Sequence, residues 1–416
     1  MMRFIFSIIM LLTVLMGDSD AELTIKKKVD NRSKIAIADG STSIDNSTSR
    51  KVFSLFLNDL KLSGNFSADS RYYTAEYSSD VLPTEVKSNE YTLKYQLLNT
   101  SGASLSVILI QNSNGTKLFQ KSYSIGAFNK YPFLVHKAVS DINRILGYGS
   151  IDWMNRLVLF TRYTASRQSE IILSDYTFTY KYPIIRSGLN LFPKWSDKSQ
   201  SSFYYTAMNG ARPVLYRYHL NNGTKDMITS SDGMLVCSDV SSNGSKLLLT
   251  MAPNGQPDIY EYDVATKSAS RLTDFGGIDV SGQYMSGEKQ IVFVSNRLGY
   301  PNIFKKYLTS PSVSPVVSRG RNNNSCDAFG NKIVYSSRES SERFRGNTFN
   351  IYLNSTSGTT PLTNSGDNQF PRFSSDGNVV LYVKQQSGKS LVGYVNIDTK
   401  ESSIFNVGSK VQSIDW

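Results

Sequence analysis

A chain of 416 residues exceeds the roughly 150 residues of one ordinary domain, so at least two folded units are expected. Its 40% hydrophobic and 19% charged residues are the mix of a folded soluble protein, and 25 Tyr with 21 Phe lean it towards β structure. The formal charge of +11 suits nucleic acid, an anionic envelope surface or an acidic protein partner. The N-terminus argues against the first of these.

That N-terminus reads "MMRFIFSIIMLLTVLMGDSDAELTIKKK". Arg3 precedes an apolar run from Phe4 to Met16, which is shorter than the roughly 20 residues a membrane span needs. Small and polar residues ending in Ser19-Asp20-Ala21 follow. This is the pattern of a cleaved export signal over 1–21, with Glu22 as the mature N-terminus; an uncleaved anchor is the alternative. No Cys follows the run, as a lipoprotein anchor would require, and no later stretch is apolar enough for a transmembrane helix. Removing one Arg and two Asp raises the charge to +12. The next segment, "ELTIKKKVDN", alternates and is either an edge strand or a free arm able to pair with another protein's sheet. Lys26-Lys27-Lys28 within it is the one basic run, and such a run is usually just solvated.

Residues 22–147 carry no repeat. Ile35 to Ala38 is a short apolar strand. Ser49 to Leu62 is a helix with Val52, Phe53, Phe56 and Leu60 on one face and Gly64 as its stop. Three strand-like runs follow, "YTLKYQLL", "SLSVILIQ" and "KLFQKSYSI", the last two joined by Asn114-Gly115. Pro132 then opens a second helix with Val135, Val139, Ile142 and Leu146 spaced for burial. These elements predict a small α/β domain, linked by "GYGSIDWMNR" to what comes next.

From 151 to 416 the chain repeats itself. Leu215-Tyr216, Ile259-Tyr260 and Ile303-Phe304 recur 44 residues apart, often after a Gly-x-Pro phrase, and Ile351-Tyr352 follows 48 later after an insertion around "ESSERFRGN". A second strand ends at Thr206, Thr250, Ser295 and Ser337, and a third closes each unit at Thr229, Thr273, Ser318 and Thr363. Asn222-Gly223, Asn243-Gly244 and Asp376-Gly377 accept the positive φ that tight hairpins need. A period of about 40–50 residues holding four short strands marks a β-propeller blade. Six such units fit. The C-terminal "VQSIDW" resembles the blade starts "LFPKW" and "QFPRF", whereas the first unit begins with its second strand, so Val411 to Trp416 is expected to close the ring as the innermost strand of blade 1. The predicted fold is thus multidomain: a small N-terminal α/β domain at 22–147, followed by a six-bladed all-β propeller at 151–416 closed by the C-terminal strand.

Chemistry has few candidates. There is no Gly-x-Ser-x-Gly elbow, no His-Glu-x-x-His, no zinc-spaced Cys cluster and no phosphate-binding Gly loop. The two His, His136 and His219, neighbour no nucleophile motif. Asp258, Asp263 and Asp274 could suggest a cation site but read better as turn and strand-end residues. Cys237 and Cys326 sit in equivalent repeats two units apart, beyond the roughly 7 Å reach of a disulfide, and are read as two free, half-buried thiols. No catalytic residue, metal site or cofactor is expected. An exported propeller enzyme, hydrolase or lyase, and a glycan-binding propeller remain as other classes.

The order of export signal, α/β domain and ring, with "FPRFSSDGNVVLYV" (370–383), "NRLGYPNIFKKYL" (296–308) and "LNDLKLSGNF" (57–66), resembles the TolB family, periplasmic β-propeller proteins of the Tol-Pal envelope system of Gram-negative bacteria. The resemblance implies a non-enzymatic, monomeric periplasmic adaptor. It would link the lipoprotein Pal to TolA, maintaining outer-membrane integrity, assisting constriction at cell division and serving protein import. Other outer-membrane or peptidoglycan-associated proteins and colicins are further partners of the family. Carried over by position, Pal would meet the channel-mouth residues Met234, Leu235, Val280, Ser281, Asn323, Asn324, Asn368 and Gln369. TolA would meet the arm, Glu22, Leu23, Thr24, Ile25 and Lys26. The chain departs from the family pattern in the turns "WSDKS", "YMSGE" and "DAFGN", which lack Asp-Gly, and in the basic end of the arm.

Overall fold

The structure is a computed structural model, and it describes residues 32–210, 212–317, 320, 322–339 and 348–416. The export signal and the arm lie outside the described residues. From Arg32 to Trp416 the chain packs as one compact unit.

The first part is a sheet with two helices. Strands β1 (Ser33–Asp39), β2 (Phe66–Ala68), β3 (Tyr73–Thr74), β4 (Tyr91–Asn99), β5 (Ala103–Gln111) and β6 (Thr116–Ile125) lie in the order β2-β1-β4-β5-β6, with β3 also on β1. The neighbours of β1 are all parallel to it, while β4, β5 and β6 form an antiparallel meander. Residues Ile35 to Asp39 are buried throughout, as a parallel strand covered on both faces requires. Helix α1 (Asn46–Leu62) starts where Asp45 accepts from the Thr48 amide and buries Val52, Phe53, Phe56 and Leu60, as the spacing predicts. Helix α2 (Tyr131–Ile145) starts on Pro132 and buries Val135, Val139 and Ile142; Leu146 caps it, half-buried. Strands β2 and β3 were not expected, because two or three residues carry no readable alternation.

The second part is six four-stranded antiparallel sheets, each in simple meander order. Blade 1 takes its innermost strand, Val411–Asp415, from the C-terminus, paired to Val158–Ala165 with Ile414 opposite Phe160. The innermost strands of blades 2 to 6 are Asn190–Trp195, Leu235–Val240, Asp279–Tyr284, Asn323–Phe329 and Asp367–Phe373. The recurring Ile-aromatic pair lies on each blade's third strand. Side chains alternate across a strand, so its two members face opposite neighbours: Ile259 packs into the core between blades 3 and 4, while Tyr260 packs into that between blades 2 and 3. Ile303 and Phe304 do the same one blade on. The phrase repeats because every blade must cover both its faces.

The blade-closing Thr has a local role as well. Thr273 Oγ1 accepts from the Ile259 amide and donates to Asp258, and Thr363 makes the same pair of bonds with Ile351 and Asn350. The Asp-Gly turn keeps its shape even where its letters are lost. Gly377 has φ 72°, with the Phe329 ring so close that a Cβ could not fit, and Gln200, Gly287 and Gly330 supply the left-handed residue in the variant turns.

The α/β part rests on the rim formed by the connections between third and fourth strands, where α1 meets blade 6 and the loop at 175–180 of blade 1 meets both helices. One apolar core joins Phe56 and Val135 to Tyr176, Tyr394 and Trp416. The innermost strands begin at the opposite rim, which this arrangement leaves uncovered by the α/β part.

Candidate docking mouth of the ring

All six innermost strands slip register once against their neighbour. These bulges turn side chains towards the axis. In four of the blades they hold a residue other than Gly at positive φ: Phe192 at 55°, Ser281 at 58°, Ser325 at 51° and Phe370 at 53°. Such backbone costs of order 1–3 kcal/mol per residue and tends to gather where side chains must be aimed. All four residues line an axial cavity of about 230 Å³ that also takes in Met234, Val236 and Val280.

Below the cavity one position of each innermost strand forms a belt. Blades 1, 3 and 5 contribute Asp415, Asp239 and Asp327; blades 2, 4 and 6 contribute Lys194, Gln283 and Arg372. Each Asp accepts the main-chain amide of the next blade: Trp195 on Asp415 at 2.8 Å, Tyr284 on Asp239 at 2.8 Å and Phe373 on Asp327 at 2.7 Å. Lys194 Nζ stands 3.0 Å from Asp415 and 3.8 Å from Asp239, and Gln283 Nε2 donates to the Ser238 carbonyl. Burial pushes the Lys194 ammonium down, but the carboxylates of Asp415, Asp239 and Asp327 outweigh it and hold it above its ordinary value. Burial pushes Asp239 up to about 6, against the pull of Lys194. Acids and donors alternate round the axis and engage one another or the backbone of a neighbouring blade.

The residues expected at the mouth divide. Met234, Val280 and Ser281 line the cavity. Leu235 is buried in the core between blades 2 and 3. Asn323 is buried and donates to Asn302, and Asn368 is buried against Asn350, Thr363 and Ser365. Asn324 is half-buried. Gln369 lines a separate groove of about 600 Å³ with Tyr163, Gln385 and Lys410. Leu235, Asn323 and Asn368 therefore present no free side chain at the mouth. At the starts of innermost strands, first in the strand for Leu235 and Asn323 and second for Asn368, they point back into the blades.

Sequence reasoning missed four apolar residues of this rim. Tyr163 and Met208, near the ends of second strands, and Ile278 and Leu298, in connections on the same rim, join Met234 there, and each is between 37% and 50% exposed. Large apolar side chains in or just before polar turns are the signal that could have found them. Arg297 adds a cation to the rim, paired to buried Asp279 and stacked 4.5 Å over Phe275.

The other candidates have local work. Cys237 and Cys326 are free, but fully buried rather than half-buried, and both line the cavity. Burial raises both thiols, Cys326 to about 12. Asp258 pairs with Arg271, Asp263 caps the turn at Ala265 and Thr266, and Asp274 lies 2.8 Å from Arg271. His219 bonds Asp226. Both nitrogens of His136 are taken by carboxylates, so neither is left to serve a nucleophile.

Comparison with known proteins agrees with this geometry. Residues 153–416 match the family model described as TolB beta propeller domain. The chain is 41% identical over 95% of its length to the Tol-Pal system protein TolB of Wolinella succinogenes, of which 96% is covered. It is 40% identical to that of Campylobacter jejuni, with 92% of each chain covered, and 36% identical to that of Helicobacter hepaticus over the whole of both. The crystal structure of TolB from Acinetobacter baumannii superposes with a TM-score of 0.75 at 22% identity, covering 93% of this chain and 97% of that one, and shows the same fold. By sequence and by architecture, the chain belongs to the TolB family of Tol-Pal system proteins.

Proposed function

We propose that this protein is a non-enzymatic periplasmic adaptor of the Tol-Pal system, taking Pal at the uncovered mouth of the ring and TolA through the arm Glu22–Lys26. In this reading residues 1–21 are an export signal, 22–147 the α/β domain with its arm and 151–416 the ring. The observation that carries it is the mouth itself: five exposed apolar side chains stand on the rim that opens onto a cavity floored by a belt of alternating acids and donors. A rigid rim of loops around a concave apolar centre suits a protein partner. The raised thiols and paired carboxylates beneath it favour docking over chemistry. Among the described residues no helix is long and apolar enough to cross a membrane.

Photo-crosslinking in cells tests the reading. A crosslinking amino acid at Met234 or Ile278 is expected to capture Pal, and one at Tyr307, exposed on the other rim, is not. Capture from Tyr307 alone would place the partner elsewhere, and turnover of peptides or glycans by the purified protein would favour an enzyme.

A further inference from the structure

Between the α/β part and the ring lies a polar cluster with no access to solvent. His136 of α2 is fully buried; its Nδ1 is 2.7 Å from Asp59 Oδ2 on α1, and its Nε2 is 3.2 Å from Asp175 Oδ2 on the third-to-fourth-strand loop of blade 1. Tyr176 of the same loop donates to the other oxygen of Asp59. Asp175 also accepts the Thr177 amide at 2.8 Å and the Tyr180 amide at 2.6 Å, and Tyr394 of blade 6 donates to the Tyr176 carbonyl at 2.6 Å. One imidazole thus joins a carboxylate of each part. To bond both at once it must donate from both nitrogens, and only the imidazolium can.

We infer that His136 is a charged latch that fixes the α/β part to blade 1, and that loss of its proton releases the loop at 175–180 from the helices. Neutral imidazole has one donor, so one of two buried carboxylates would face a lone pair in a site closed to solvent. The groups facing it are Asp59 from α1, Asp175 and Tyr176 from blade 1 and, behind them, Tyr394 from blade 6; Tyr131 of α2 and Lys181 of blade 1 act on Asp175 from further off. Burial alone would push the imidazolium down, but Asp59 and Asp175 outweigh it and lift it to about 9. With the folded value above the unfolded one, the latch contributes fully below about pH 6.5 and is lost as pH rises through about 9.

The chain has only two His, so an isotope-labelled histidine spectrum of the full protein holds two ring signals, and His219→Gln identifies which is His136. The His136 signal is expected to be that of an imidazolium at about pH 7.5 and to titrate near about pH 9. Over the same range the hydrogen-exchange protection of 175–180, corrected for intrinsic rate, should fall about tenfold, while that of Lys246–Met251 in blade 3 stays level. Asp175→Asn should lower the midpoint and loosen the same loop already at about pH 7.5. A neutral His136 at about pH 7.5, or loss of loop protection while the imidazole remains charged, would overturn the latch.

Discussion

Trp153, in the connection between the two parts, meets Trp416, the last residue of the chain, edge to face, with ring centroids 5.5 Å apart and planes at 86°. Trp416 also meets Tyr394 at 5.3 Å and is almost wholly buried. The strand that closes the ring therefore also supplies part of the seat for the α/β part.

Shortening that strand should be costly in a specific way. Trp416→Ala is expected to lose about 3–5 kcal/mol in urea unfolding. Deleting Val411 to Trp416 removes the innermost strand of blade 1 and bares Phe160 and Ile172, so the product should elute as an expanded or aggregated species. A deletion variant with parental stability and elution volume would mean that the tail does not close the ring.

The charge belt predicts two opposite outcomes from one kind of substitution. Asp415→Asn leaves half-buried Lys194 beside a weaker partner and should cost about 3 kcal/mol. Asp239 differs because its folded value is raised to about 6. The folded state then holds its proton more tightly than the unfolded state, so stability falls as pH rises from about 4 to about 6. Asp239→Asn should flatten that part of the pH profile and be at least as stable as the parent at neutral pH. Thermal melts across this range check both variants.

The Thr that closes blades 3 and 5 should matter more than its place near a strand end suggests. Thr273→Val or Thr363→Val leaves a buried amide without its acceptor, which is expected to cost about 1–3 kcal/mol. Thr359, exposed on the outer strand of blade 5, is the control, and its change to Val should be near neutral in the same denaturant titration.

Both thiols should resist alkylation. Burial lifts Cys326 to about 12 and Cys237 higher still, so almost no thiolate exists at neutral pH. Mass spectrometry after iodoacetamide should find the native protein unlabelled and the denatured protein labelled at both positions. Rapid labelling of the native chain would show the axial cavity to be open to small reagents.

The ring was legible because its repeating phrase solves a repeating problem: Ile259 and Tyr260 must each face a different blade, and no blade can omit either face. The closing strand was legible because "VQSIDW" has the form of an innermost strand with no blade of its own. The mouth was harder to read. Leu235, Asn323 and Asn368 stand beside turns in the sequence, yet strand alternation points them inward, while the bulges that aim Ser281 and Phe370 at the axis arise from closing the ring and leave no local mark. The pairing of Asp415 with Lys194 spans 221 residues and becomes visible only once six innermost strands are set in a circle. His136 looked like an isolated helix residue for the same reason, since Asp59 and Asp175 reach it only in the assembled unit.

The most direct test of the docking mouth is calorimetric titration of the mature protein with Pal from the same organism, comparing the parent with Met234→Glu, Ile278→Glu and Tyr307→Glu. The two mouth variants should lose at least about tenfold in affinity, as truncated interface anchors do, while Tyr307→Glu binds like the parent. Equal affinity in all four proteins would contradict docking at the mouth.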